Sequence, residues 1–288
     1  MAVNFSENQL NFARKKFYGK LYVTKTNLNF FDKLLNKTLI LIYQFKFNLV
    51  NIKRKICRLS IFQPKKNSNE KNINFSLNLD EVSIQKHSED LKRKNFTFIK
   101  NFLSKETYEY ILKNWPSINY FDHNKKIIKH YNTRRIWSTE KKFSELKDPY
   151  NLRLYFEFML SNEFKKFYQS LIKFEQKQYE IRNISSAMAT QGSYLIPHMD
   201  GVIKNTDGKK HYNFIYFLDG FDENPIVGGG TGFYKDNEFK LPIFIPSTIK
   251  NSLIIYNQCE DFYHGFRLIE CPKNIVRKSI NFQIEEKE

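Results

Sequence analysis

Within "YLIPHMDGVI", residues 194–203, a His and an Asp stand two positions apart. In an extended strand side chains alternate between faces, so His198 and Asp200 project to one side and Met199 to the other. An imidazole and a carboxylate on the same side can ligate one metal ion. An isolated H-x-D is also what a polar strand end before a loop looks like, so its meaning depends on the rest of the chain. Three later segments bear on it. His264, in "EDFYHGFRL", follows the apolar "SLIIYN" and sits beside a Gly in what reads as a turn. "RKSINFQI" places Arg277 and Ser279 on one face of a strand and Val276, Lys278, Ile280 and Phe282 on the other. A guanidinium turned inward is costly unless an anion meets it, whether a bound ligand or an internal Asp or Glu. "GGGTGFY", 228–234, is a Gly-rich turn entering a strand, without the Lys-Ser/Thr and the helix of a phosphate-cradling loop.

Two His and one carboxylate, the carboxylate two residues after the first His and the second His much later, is the ligand arrangement of non-haem Fe(II) oxygenases. Three ligands on one face of an octahedral metal leave the opposite positions open. The planar guanidinium of Arg277 matches a carboxylate and can hold the far end of a dicarboxylic acid, with Ser279 adding a hydrogen bond. Lys278 is adjacent, but alternation sends it to the opposite face. His87, His123, His130 and His211 have no partners at ligand spacing and read as surface or structural residues. On "YNFIYFLD" the register of Tyr216 and Phe217, which point oppositely, stays open, as does whether Tyr194 lines a pocket or simply packs.

These residues need elements to hold them. A short β-like run at 96–99 precedes Ser104, a good helix N-cap, and the helix-favouring "KETYEYILKNW", which Pro116 stops. A second helical region spans 148–174. Beyond residue 178 the chain becomes a series of short strands: "YEIRNISSAMAT", "HYNFIYFLDG", "GTGFYKD", "FKLPIFIPS", "SLIIYNQ" and "RKSINFQIEE". Helices followed by strands predict an α+β, mainly β arrangement around a β-sandwich or jelly roll. Residues 120–140, with "NTRRIWS" and Arg135, form a pocket mouth, a lid or a plain surface loop. Residues 1–60 alternate basic and apolar groups, and 62–78 are Asn/Lys-rich and read as a linker. A boundary between about 65 and 95 follows, giving a basic extension, 1–95, and a main domain, 96–288.

Composition narrows the classes. A chain of 288 residues with 41% hydrophobic and 16% aromatic residues has the material for a folded core and belongs to no disordered or fibrous class. The longest apolar run, "TLILIY" at 38–43, is far shorter than the roughly 20 residues of a membrane span. The first residues lack a secretory pattern, so a cytoplasmic location is expected. Cys57, Cys259 and Cys271 are sparse and unpaired in spacing, which suggests neither a disulfide framework nor a cysteine zinc site. The net charge is +17; residues 1–95 hold 19 Lys and Arg against 7 Asp and Glu, a net +12, leaving +5 for the other 193. Such a segment can contact nucleic acid or an anionic membrane, or be a solvated face in a chain rich throughout in Lys, Asn, Ile and Phe.

Taken in order, "FLSKETYEYILKNWP", "HMD", "YNFIYFLD", "GGGTGFY", "YHG" and "RKS" resemble the 2-oxoglutarate/Fe(II)-dependent dioxygenases, in particular their prolyl-4-hydroxylase-like branch, across residues 96–285. The resemblance implies a double-stranded β-helix with supporting helices. It implies that His198, Asp200 and His264 bind Fe(II), and that Arg277, assisted by Ser279, pairs with the C5 carboxylate of 2-oxoglutarate. It further implies 2-oxoglutarate and dioxygen as cosubstrates, succinate as a product, and hydroxylation of an unidentified substrate. Related halogenases replace the carboxylate ligand with a small residue, so Asp200 favours hydroxylation. The thirteen positions from His264 to Arg277 are slightly more than in many members. Fold and metal site do not fix the substrate, although the basic surface suits an anionic one. The competing expectation is a non-catalytic β-sandwich whose basic arm binds nucleic acid or membrane; it gains if the two His lie far apart or if Arg277 faces solvent. A His/Asp/His zinc hydrolase fits the ligands but leaves an inward Arg277 without a task.

Overall fold

The computed structural model describes residues 74–115, 122–126, 131–139, 156–199, 210–257 and 263–287; within 122–139 the backbone alone is described. Helix α1, Glu81–Lys94, comes first. Asp80 caps it by accepting from the Ser83 N–H at 2.7 Å, Glu81 begins it, Lys92, Arg93 and Lys94 end it, and Asn95 closes it in the left-handed conformation. This helix went unexpected in the sequence because its apolar positions are sparse: Leu91 alone is buried, and Val82 is exposed. Phe75 and Leu77 also pack on the main core.

Strand β1, Phe96–Lys100, and helix α2, Lys105–Lys113, fall where the sequence places them, with Ser104 accepting from the Thr107 N–H. Within the expected second helical region, Ser161 caps α3, Asn162–Leu171, which buries Phe164, Phe167, Tyr168 and Leu171 at helical spacing. The strands follow as β4 (Tyr179–Ala189), β5 (Tyr194–His198), β6 (His211–Asp219), β7 (Gly232–Tyr234), β8 (Pro242–Phe244), β9 (Ser252–Asn257), β10 (Tyr263–Phe266) and β11 (Arg277–Glu286). One further hairpin, β2 (Asp122–Lys126) with β3 (Tyr131–Thr139), occupies the region that reads as a mouth, lid or loop. Its polar, basic sequence offers no apolar alternation to announce strands. Long-range pairing holds β3 in place, to β4 along Arg134–Thr139 and to β5 at Tyr131 and Asn132.

Hydrogen-bonded neighbours run β1-β9-β6-β11-β4-β3-β5-β10-β7-β8. Thus β1, β9, β6, β11 and β4 form one run of five strands, and β5, β10, β7 and β8 another of four, with β3 joining them. The protein is therefore mainly antiparallel β with helices on one side. Alternate residues of the first run serve two cores. Ile184, Phe214, Tyr216, Ile255, Ile280 and Phe282 pack with α3 and its neighbours, whereas Ile215, Phe217, Ile254 and Tyr256 meet Phe233 of β7 between the runs. The open register of Tyr216 and Phe217 is thereby resolved: Tyr216 faces the helices, Phe217 the space between runs. Asn251, at φ 42°, ties the segments together. Its amide donates to the Leu103 carbonyl and accepts from the Leu103 N–H, both at 2.9 Å, and its oxygen accepts from Tyr216 at 3.1 Å. Among the described residues no helix is long and apolar enough to cross a membrane.

Candidate functional site

Strands β5 and β10 pair antiparallel, and their register sets His198 directly against His264. Residues opposite one another in such a ladder share a face, and the two imidazoles lie 4.4 Å apart between ring centroids. His264 thus sits in a strand rather than a turn, and it is buried. Its neighbour Gly265 permits the pairing: a Cβ there would stand 2.5 Å from the Leu195 carbonyl oxygen and 2.8 Å from the Pro197 nitrogen. His198 Nδ1 lies 2.9 Å from the Ile196 carbonyl oxygen. A carbonyl can only accept, so Nδ1 carries the proton and Nε2 keeps its lone pair for a ligand. Strand β5 ends at His198, Met199 is 40% exposed, and Asp200, the predicted carboxylate ligand, lies outside the described residues. Among the described residues no three His, Cys, Asp or Glu side chains cluster as a metal site.

The other predicted residues stand at the start of β11. Arg277 is 4% exposed; its Nη2 donates to Thr231 Oγ1 at 3.2 Å, and its guanidinium carbon lies 5.1 Å from the Phe217 ring centroid and 4.7 Å from that of Phe266. Aromatic rings at these distances hold a guanidinium by cation–π attraction. Ser279 is fully buried, and its hydroxyl has no hydrogen-bond partner, a state that costs about 1–3 kcal/mol in a dry interior unless a ligand completes it. Gly229, at φ +90°, leaves the room the arginine occupies, since a Cβ there would stand 2.8 Å from Arg277 Cδ. Lys278 behaves as alternation predicts: it faces away and pairs with Asp219 at 3.0 Å. Thr231, Phe217 and Phe266 escaped the sequence reading. "GGGTGFY" signals a turn, and nothing local tells that its Thr meets an arginine 46 positions on.

Pairing across β4, β11, β6 and β9 arranges the face between the runs in rows. Ala189 and Arg277 form one end; next come Ala187, Ser279, Phe217 and Ser252; then Ser185, Asn281, Ile215 and Ile254; then Asn183, Gln283, Asn213 and Tyr256. The Tyr256 ring lies 5.0 Å from that of His264. Arg277 and Ser279 thus share the face that Tyr256 and His264 border, and Phe266, which packs on the guanidinium, stands two residues from His264 on β10. Tyr194 is half-buried and pairs with Asn132 at the β3 edge. Of the other histidines, His87 bonds Thr97 at 2.9 Å, and burial holds its pKa below the usual value. His211 lies 3.8 Å from Glu285. Both are structural, while the His123 side chain and His130 lie outside the described residues. Cys271 is a free, buried thiol whose pKa burial pushes up, an inert group as the cysteine spacing suggests.

A solved structure shares this architecture. A prolyl-4-hydroxylase from Pseudomonas putida aligns over 71% of this chain and 100% of its own, with 12% identity and a TM-score of 0.50. An oxidoreductase of the 2-oxoglutarate/Fe(II) oxygenase family from Burkholderia pseudomallei aligns over 74% and 95%, at 12% identity and a TM-score of 0.48. A prolyl hydroxylase from Trichoplax adhaerens aligns over 72% and 89%, at 12% and 0.48. The fold of this chain is thus the one seen in the Pseudomonas putida prolyl-4-hydroxylase, a likeness of fold. No protein-family model matches the sequence. No curated protein matches it either.

Proposed function

We propose that the protein is an Fe(II)- and 2-oxoglutarate-dependent dioxygenase that hydroxylates its substrate, and that β4, β6, β9 and β11 on one side and β5, β7, β8 and β10 on the other form the two walls of a double-stranded β-helix. The observation that carries this reading is the register of β5 and β10, which sets His198 against His264 on the strand whose Phe266 packs on the buried Arg277. In this reading His198, Asp200 and His264 hold the metal on one face, and Arg277 with Ser279 receives the C5 carboxylate. The residues suit both groups. The Nδ1 contact of His198 with the Ile196 carbonyl leaves its Nε2 for a ligand, and the Ser279 hydroxyl is buried and lacks a partner. Iron and 2-oxoglutarate, when bound, supply the coupling of decarboxylation to oxygen insertion into a C–H bond. The protein's part is to leave one side of the metal open, keep Nδ1 of His198 protonated, fix the dicarboxylate's direction and shield the space between the runs from water.

The binding-protein alternative gains no support, because the histidines are adjacent and Arg277 is buried. A zinc hydrolase leaves the arginine clamp unused. The domain boundary falls, in this reading, on the N-terminal side of Phe75, within the 65–95 interval, since Phe75, Leu77 and Leu91 all pack with the core. The test is an anaerobic titration of the Fe(II)-loaded protein with 2-oxoglutarate, following the weak visible metal-to-ligand charge-transfer band. The band is expected in wild type, absent in His198→Ala, and reached only at much higher 2-oxoglutarate in Arg277→Ala. A folded, iron-loaded wild type that shows no band overturns the proposal.

A further inference from the structure

Three carboxamides stand side by side where a sheet has least use for them. Asn183, Gln283 and Asn213 are registered neighbours on β4, β11 and β6, all interior strands. Asparagine is depleted in strands, which favour β-branched and aromatic residues. The next residues along, Ile184, Phe282 and Phe214, point the other way and fill the helix-side core as that preference requires. Polarity is therefore confined to the face between the runs. There Gln283 is 7% exposed, and Asn183 Nδ2 donates to Gln283 Oε1 at 3.0 Å. The bond joins the two carboxamides by one end each, leaving Asn183 Oδ1 as an acceptor and Gln283 Nε2 as a donor.

The row adjoins the paired histidines, because Asn213 registers with Tyr256, whose ring lies 5.0 Å from that of His264. One row further from Arg277 the character changes. Glu285 registers with His211 and pairs with Arg182 at 3.3 Å, and both members of that ion pair are partly exposed. The face opens to solvent there, so the carboxamides stand between the opening and the histidines. Arg182 is already met by a carboxylate, and the row gives an anion no cation of its own. What completes it is a neutral group that donates beside the place where it accepts. A primary carboxamide does so, giving an N–H to Asn183 Oδ1 and taking one from Gln283 Nε2. A carboxylate has no hydrogen to give, and an alkyl group leaves both partners unmade. Resting on the proposed dioxygenase reading, we propose that Asn183 and Gln283 bind a primary carboxamide of the substrate, that of an asparagine or glutamine, and so turn the carbon chain behind it toward His198 and His264.

The probes are tripeptides Gly-Xaa-Gly, acetylated and closed by an N-methylamide so that only Xaa carries a primary carboxamide, together with free asparagine and glutamine. Each is titrated into the full chain loaded with Mn(II) and 2-oxoglutarate and followed by calorimetry. Binding is expected where Xaa is Asn or Gln, or for the free amino acids, the two arms separating a peptide from a small-molecule source. The isosteric Asp and Glu probes, which lack the donor, are expected to bind at least about tenfold more weakly. Gln283→Glu keeps the oxygen that accepts from Asn183 and replaces the NH2 by a second oxygen, so carboxamide affinity falls at least about tenfold. Gln283→Met removes both polar ends and keeps the test decisive if the glutamate variant fails to fold. Carboxamide probes that bind no better than their acids, or that bind a folded Gln283 variant as they bind wild type, overturn this inference, and the charge-transfer band of the Fe(II)-loaded wild type then leaves the dioxygenase reading standing. A wild type without that band overturns both.

Discussion

Arg277 and Lys278 are adjacent residues of like charge, and β11 gives them opposite surroundings. Arg277 is buried between Phe217 and Phe266, while Lys278 is partly exposed and paired with Asp219. Charge alone is therefore not what the site selects. Arg277→Lys keeps the charge but loses the planar fork and the aromatic contacts, so 2-oxoglutarate affinity is expected to fall by at least about tenfold. Lys278→Ala loses a partly exposed ion pair, expected to cost under about 1 kcal/mol of stability, with affinity unchanged. Anaerobic titration and chemical denaturation of both variants check the pair. A Lys278→Ala protein that loses affinity as Arg277→Lys does contradicts the face assignment.

At the scale of elements, the close approach of β5 and β10 sets the separation of the histidines. Gly265 sits at the point of contact, and the atoms a Cβ would strike there are backbone, which cannot rotate aside. Gly265→Ala therefore moves β10 away from β5 and carries His264 with it. Metal affinity, measured with Co(II) by its visible spectrum, is expected to drop by more than tenfold while the circular dichroism spectrum stays that of wild type, since a shift near 1 Å misplaces ligands that need fixed geometry. An alanine variant with native Co(II) affinity shows that the strands tolerate the added methyl and that the register is not so limited.

For the whole molecule, α1 packs as part of the main core. Leu91 is buried in the same core as Phe164 and Phe282, and His87 ties α1 to Thr97 of β1. Leu91→Ala is expected to cost about 2–4 kcal/mol, the usual penalty for a buried leucine. A chain starting at residue 96 is expected to be much less stable than one starting near residue 70. Thermal melts of the two truncations and the point variant test this. Equal stability of the two truncations means that α1 is an accessory to the core.

Strand-forming segments, helix caps and the two faces of β11 were legible because each depends on a short stretch of chain. Alternation needs only neighbouring residues, so Arg277, Ser279 and Lys278 could be sorted by face from "RKS" alone; Ser104 announces α2 by local hydrogen bonding. Helix α1 and the β2–β3 hairpin were not legible, since α1 buries a single apolar residue and β3 is held by partners far along the chain. The same limit applies at the site. The sequence by itself determined which residues have the right chemistry and which share a strand face. That His198 meets His264, that Thr231 meets Arg277, and that Asn183 meets Gln283 are matters of pairing between distant strands. Their register is set by the packing of the whole sheet, which no local spacing encodes.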